Sequence, residues 1–245
     1  MKEIRNADGE RLDYSHHGVD SSSSGNATPL VLIGHGVTAN KDRPFLVLLA
    51  ESLAESGLEA VRFSFSGNGQ SEGDFRKSCP SREVEDLRSV IESFPGRTIY
   101  YVGHSMGGAV GILAMSAGLP IQKFVSLAGM VHPALFVDTE FGDLTPDSPD
   151  AFMWDKPDCP LSSHFVDDMQ ALGSLLPKVS SVSVPWLIVH GEDDDVVPIS
   201  HSREVAAANH SVRLIEISGA DHVFSENDSD RDMAQTVVSW LKSSG

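Results

Sequence analysis

Short apolar runs alternate along this chain with stretches whose apolar residues recur every three or four positions, and the two periods predict its elements in order. Residues 30–33 read as a strand and 44–56 as an amphipathic helix. The pair returns as a strand at 60–65 and a helix at 81–94, then as a strand at 99–102 and a small-residue helical run at 109–117. After a strand at 123–127 the rhythm stops. It resumes with a strand at 184–190, a helix at 200–208, a strand at 213–217 and a final helix at 230–241. Ser81 is expected to cap its helix, with Glu83 and Glu85 favouring the first turn. Near the start, residues 2–5 and 11–14 flank Asn6-Ala7-Asp8-Gly9, whose Asp-Gly pair suits a hairpin between two antiparallel edge strands. Residues 20–27, with four consecutive serines, read as a surface loop. Short apolar strands alternating with helices predict an α/β fold with a mostly parallel central sheet covered by helices on both faces.

The interruption covers residues 132–177. It holds six prolines, many acidic residues and the aromatics Phe136, Phe141, Phe152, Trp154 and Phe165. So long a bare loop is improbable inside a compact domain, so the stretch is expected to be a small inserted cap between core segments 1–131 and 178–245. Its aromatics either line a pocket or pack the cap onto the sheet.

The chemistry centres on Gly103-His104-Ser105-Met106-Gly107-Gly108, which follows one predicted strand and precedes a helix. A serine on so sharp a strand-to-helix turn needs nearly bare backbone two residues before and two after it, which Gly103 and Gly107 provide. A serine hydroxyl also needs a base within hydrogen-bond reach, and the base needs a carboxylate to orient it. Behind such an elbow the acid precedes the histidine along the chain. The acid is expected within Glu192-Asp193-Asp194-Asp195, directly after a strand. Asp194, three residues from both Gly191 and Val197, is the member the turn can aim inward, with Asp193 as the alternative. His222, in Gly219-Ala220-Asp221-His222-Val223-Phe224, is the base in the right order at a strand end, whereas His104 and His190 are expected to face packing. The main-chain N–H groups of Met106 and Val37 are the candidate oxyanion donors, with His35 buttressing the second loop.

Composition narrows the partners. With 18 Lys and Arg against 35 Asp and Glu, the formal charge of −17 repels nucleic acid and anionic membranes. Cys79 and Cys159 lie far apart without a metal-ligand pattern, which fits free thiols in a reducing compartment. No apolar run approaches a membrane span, and the polar first ten residues lack a signal-peptide core, so a cytoplasmic location is expected.

The segments HGVTANKD, SFSGNGQSEGDF, GHSMGG, HGEDDDVVP and GADHVF together resemble the α/β-hydrolase superfamily. The resemblance is strongest to its serine-hydrolase branch of hydroxycinnamoyl (feruloyl) esterases, monoacylglycerol-lipase-like enzymes and S33-peptidase-like members. It implies an α/β-hydrolase fold, a catalytic triad of Ser105, Asp194 and His222, and an oxyanion hole at Val37 and Met106. It further implies a cap that shapes the pocket over Ser105. The expected activity is a serine carboxylesterase acting on small to medium acyl or aryl esters through an acyl-enzyme, with a small-molecule substrate and neither metal nor organic cofactor. An aminopeptidase, a thioesterase, a carbon-carbon bond hydrolase and a low-turnover binding scaffold are the alternatives.

Overall fold

The computed structural model describes residues 3–18 and 28–243; the serine-rich run 20–27 lies outside them. Among the described residues a seven-stranded sheet runs, from one edge to the other, through β3 (Tyr14–His17), β5 (Glu59–Phe63), β4 (Leu30–Gly34), β6 (Ile99–His104), β7 (Ile121–Leu127), β8 (Trp186–Gly191) and β9 (Val212–Ile217). All neighbours are parallel except β3 and β5. The two strands expected at the N-terminal edge instead form a separate ribbon, β1 (Ile4–Arg5) with β2 (Arg11–Leu12), and the sheet's antiparallel edge is the next segment, β3. The Asn6 side chain explains the ribbon: its Oδ1 accepts from the N–H groups of Asp8 and Glu10, and its Nδ2 donates to Asp86. These bonds hold the turn down on the body of the protein, away from the sheet edge.

The near-continuous apolar strands are buried on both faces, and the period of two divides them between two cores. Leu30 and Leu32 of β4, Tyr101 of β6 and Ile188 of β8 point to one side, where they meet α2 (Pro80–Glu92) and α3 (Met106–Ser116). Val31, Ile33, Val102, Leu187 and Val189 point to the other, where they meet α1 (Pro44–Glu55) and α8 (Ser229–Lys242). Burying each such side chain is worth about 1.5–3 kcal/mol, so the two layers hold the sheet rigid beneath the loops at its carboxyl end.

The helix expected to start at Ser81 starts one residue earlier. Pro80 occupies the first position with Cys79 as the capping residue, because proline's fixed φ suits a first turn that needs no N–H. The Ser81 N–H is satisfied instead by the carboxylate of Asp168, at 3.1 Å. Between β7 and β8 the chain carries α4 (Pro133–Phe141), a 3₁₀ turn at Met153–Asp155, α5 (Ser163–Leu172) and α6 (Leu176–Val179). Phe136, Phe141 and Phe165 pack there ring on ring and are buried, whereas Trp154 stays 38% exposed. The remaining helix, α7 (Ile199–Ala208), links β8 to β9.

Candidate active site

Ser105 sits between the last residue of β6 and the first of α3 with φ 53° and ψ −117°. A residue with a Cβ is held in that region only when its surroundings force it there. Close packing does so here. A Cβ on Gly103 would lie 2.1 Å from the Gly107 carbonyl oxygen, and one on Gly107 would lie 2.8 Å from that of His35. The turn is pinned by Ser105 N–H donating to Leu127 at 2.9 Å, and by Gly108 and Met130 N–H groups donating to the Ser105 carbonyl at 2.8 and 3.0 Å. α3 thus begins directly after the serine, and its positive end favours negative charge at the site.

The loop after β4 closes one side. Gly36 lies so near the serine that a Cβ there would stand 2.7 Å from Ser105 Cβ. His35 holds this loop in place: its ring is fully buried, Nδ1 lies 2.9 Å from the Gly36 carbonyl, and Nε2 accepts from Phe65 N–H at 3.1 Å. Burial pushes its pKa down to about 4, so it is the neutral Nδ1–H form that bridges β4 to the end of β5. Val37 lines the cavity beside the serine, and Met106 opens α3 with its side chain buried in the core.

Of the four consecutive acids, Asp194 alone turns its carboxylate inward, while Glu192, Asp193 and Asp195 stay exposed. Its Oδ1 accepts from the N–H groups of Val196 and Val197 at 2.9 and 2.8 Å. Its Oδ2 lies 2.8 Å from His222 Nδ1 and 3.1 Å from His190 Nε2. Burial opposes the charge, but the neighbouring His190 and His222 imidazoles and the Val197 N–H overcome it and hold the carboxyl well below the usual carboxylate range. Because a carboxylate only accepts, Nδ1 of His222 carries the proton, which leaves Nε2 to face other partners. The acid turn and the histidine loop are stitched together by Glu192 N–H to Ile217 and Asp193 N–H to Ala220. Gly191 permits this approach, since a Cβ there would lie 2.2 Å from the Ala220 carbonyl oxygen.

Ser105 and His222 line one cavity of about 260 Å³ with Val37, and Asp194 stands behind His222. The five residues singled out in the sequence therefore gather at the carboxyl end of the sheet, where open α/β sheets bind ligands. A larger hollow of about 470 Å³ lies among Arg213, Ile215, Asp232 and Trp240, but no histidine lines it, so it offers its serines no imidazole base. His104 is also neutral, pushed well below its ordinary value by burial and then by the nearby His222; its Nε2 donates to the His222 carbonyl at 2.9 Å.

Sequence reasoning passed over His190, expected only to pack, which is a direct partner of Asp194. It also passed over Arg43 and Lys156, which line the cavity with Trp154. His190 had a signal, four residues before the acid in the same run. Lys156 had none, because it reaches the site from the segment between β7 and β8. Among the described residues no three His, Cys, Asp or Glu side chains converge to hold a metal ion, and no helix is long and apolar enough to cross a membrane.

Residues 30–236 match the model of the alpha/beta hydrolase family. The chain is 23% identical over 271 residues to a monoacylglycerol lipase of Mycolicibacterium smegmatis, covering 96% of this chain and 94% of that one. It is 24% identical over 215 residues to the palmitoyl-protein thioesterase ABHD10 of Bos taurus, covering 81% and 68% respectively. The structure of Est1E from Butyrivibrio proteoclasticus, solved with ferulic acid bound, superposes with a TM-score of 0.84 at 24% identity over 98% of both chains. With its mostly parallel sheet flanked by helices, the chain belongs to the α/β-hydrolase family.

Proposed function

We propose that this hydrolase is a serine carboxylesterase that cleaves small to medium acyl or aryl esters through an acyl-enzyme. The observation that carries the reading is the strained Ser105 on one cavity wall with His222, itself bonded through Nδ1 to the buried Asp194. Ser105 Oγ attacks the ester carbonyl carbon and its proton passes to Nε2 of His222, while the carbonyl electron pair moves onto oxygen. Asp194 stabilises the imidazolium, and the N–H groups of Val37 and Met106 receive the oxyanion. Collapse breaks the bond to the alkoxy or aryloxy group, which leaves with the His222 proton as an alcohol. Water then attacks the acyl-Ser105 by the same route and releases the acid. One ester and one water give one acid and one alcohol, and Ser105 is restored.

Residues 132–177 act as the cap in this reading, which the presence of Trp154 and Lys156 on the cavity wall supports. The volume of about 260 Å³ fits a compact substrate better than a triglyceride. The substrate is a small molecule, since the overall acidity disfavours nucleic acid and anionic membrane surfaces. The unpaired thiols of Cys79 and Cys159 support a cytoplasmic setting. The likeness to a palmitoyl-protein thioesterase favours a thioester as second substrate class, because the same attack displaces a thiol.

Labelling with a fluorophosphonate probe tests the reading, alongside a p-nitrophenyl ester chain-length series. Wild type should be labelled and turn over the short esters, and both Ser105→Ala and His222→Ala should lose labelling and turnover. Equal labelling of Ser105→Ala and wild type would overturn the assignment of the nucleophile.

A further inference from the structure

The Ser105 cavity is positively charged inside a strongly acidic protein. Arg43 and Lys156 both line it, and none of its lining residues is an Asp or Glu. Elsewhere the cations are mostly neutralised: Arg62 by Asp42 at 2.9 Å, Arg97 by Glu59 at 2.7 Å, Arg82 by Asp8 and Glu10 at 2.8 and 2.6 Å. Arg43 and Lys156 have no carboxylate within 4.0 Å among the described residues. Even Asp42, adjacent to Arg43 in sequence, is committed to Lys41 and Arg62.

The backbone is arranged to bring the ammonium there. Trp154 and Asp155 both have positive φ, 49° and 56°, directly before Lys156, and Thr38 across the cavity has φ 54°. Lys156 Nζ donates to Thr38 Oγ1 at 2.9 Å and stands 5.5 Å from the Trp154 ring centroid. One of its three donors is thereby used by the protein. Burial, and then the charge of Arg43, push the Lys156 ammonium below its ordinary value, so the two cations lie within electrostatic reach of each other. An anion between them would relieve that repulsion, and half-buried charge-assisted hydrogen bonds of this kind are stronger than neutral ones.

We propose that the Ser105 cavity selects esters bearing an anionic group, a carboxylate or a phosphate, near the ester bond, with Arg43 and Lys156 holding that group. The inference rests on the ester-hydrolase reading and narrows its substrate class. It also makes Lys156 a specificity residue delivered by the segment over the site.

The test compares four aryl esters of similar size: phenyl acetate, 3-acetoxybenzoate, 3-acetoxyphenyl phosphate and the 3-trimethylammonio analogue. Each is assayed with wild type, Arg43→Gln, Lys156→Gln and Lys156→Glu at low and high salt. Wild type should favour one or both anionic esters over the neutral one by roughly tenfold in kcat/KM, mainly through KM, and the preference should shrink with salt. The carboxylate and phosphate arms distinguish the two anions. The ratio of anionic to neutral kcat/KM should fall toward one in both glutamine variants and invert toward the cationic ester in Lys156→Glu. A wild-type ratio near one, or variants that lower all four esters equally as a merely structural contact to Thr38 would, overturns the proposal while leaving the hydrolase reading intact. If no ester turns over and Ser105 resists the fluorophosphonate, that reading itself fails. Calorimetry of benzoate and phenyl phosphate against wild type and the variants then decides the anion site alone: binding weakened in both glutamine variants supports it, and no binding to wild type overturns it.

Discussion

Nε2 of His190 lies 3.1 Å from Oδ2 of Asp194, the same oxygen that receives the Nδ1 proton of His222. The Val197 carbonyl lies 2.8 Å from that Nε2, so both neighbours are acceptors and Nε2 must carry a proton. The carboxylate thus accepts from two backbone N–H groups and from His222, while the His190 N–H is aimed at the Val197 carbonyl and lies beside Oδ2, so His190 positions the acid turn without touching the cavity. Losing the hydrogen bond that ties the acid turn through Val197, together with an N–H 3.1 Å from the buried carboxylate, costs about 1.5–3 kcal/mol, so His190→Leu should lower kcat/KM for a short ester about tenfold to a hundredfold. His190→Gln, which restores a donor, should recover most of the loss. Wild-type kcat/KM in His190→Leu would remove the positioning role.

Strain at Ser105 gives a second expectation. A residue with a Cβ at φ 53° carries a cost of order 1–3 kcal/mol that glycine avoids. Ser105→Gly should therefore abolish fluorophosphonate labelling while raising the unfolding free energy by about 1 kcal/mol, less the entropy that glycine adds to the unfolded chain. Urea denaturation measures it. A glycine variant less stable than Ser105→Ala would contradict the strain argument.

Gly36 offers a third. Its φ is ordinary, so the obstacle to a side chain is space: a Cβ would stand 2.7 Å from Ser105 Cβ and 3.2 Å from its Oγ. Gly36→Ala should push the adjoining Val37 N–H off the oxyanion position proposed for it. Loss of one such donor typically lowers kcat by roughly a hundredfold to a thousandfold. The melting temperature should move little by comparison, because the shift is confined to an irregular loop. Unchanged kcat in Gly36→Ala would exclude that loop from the oxyanion site.

Glu83 links stability to pH. Full burial, and then the charge of Asp86, raise its pKa well above the ordinary carboxylate value. Its Oε1 accepts from Ser78 Oγ at 3.1 Å, while Oε2 is buried with no partner among the described residues. The folded state therefore holds this proton more tightly than the unfolded chain does. The stability it contributes is full below the unfolded pKa and is lost as pH rises through the folded one, by up to about 1.4 kcal/mol per pH unit. Glu83→Gln should flatten that decline and be more stable than wild type at neutral pH. Denaturant melts at a series of pH values check it, and an identical pH slope in both proteins would sink the assignment.

The alternation of strands and helices was legible because a buried parallel strand is apolar throughout and its covering helices keep a period near 3.6; both follow from local geometry. The elbow was legible for a similar reason, since Gly103 and Gly107 mark where the chain touches itself within five residues. The inward turn of Asp194 follows from its spacing to Gly191 and Val197. Local rules also erred locally: Pro80 displaced Ser81 as the start of its helix, and the Asn6 network drew the first ribbon away from the sheet. What only the tertiary structure decided are encounters between distant segments. Lys156 meets Thr38 across 118 positions through a turn that no periodicity marks. A pattern records which face a residue needs to hide; which charge it meets across a cavity depends on how two separately folded loops come together, and that information resides in packing.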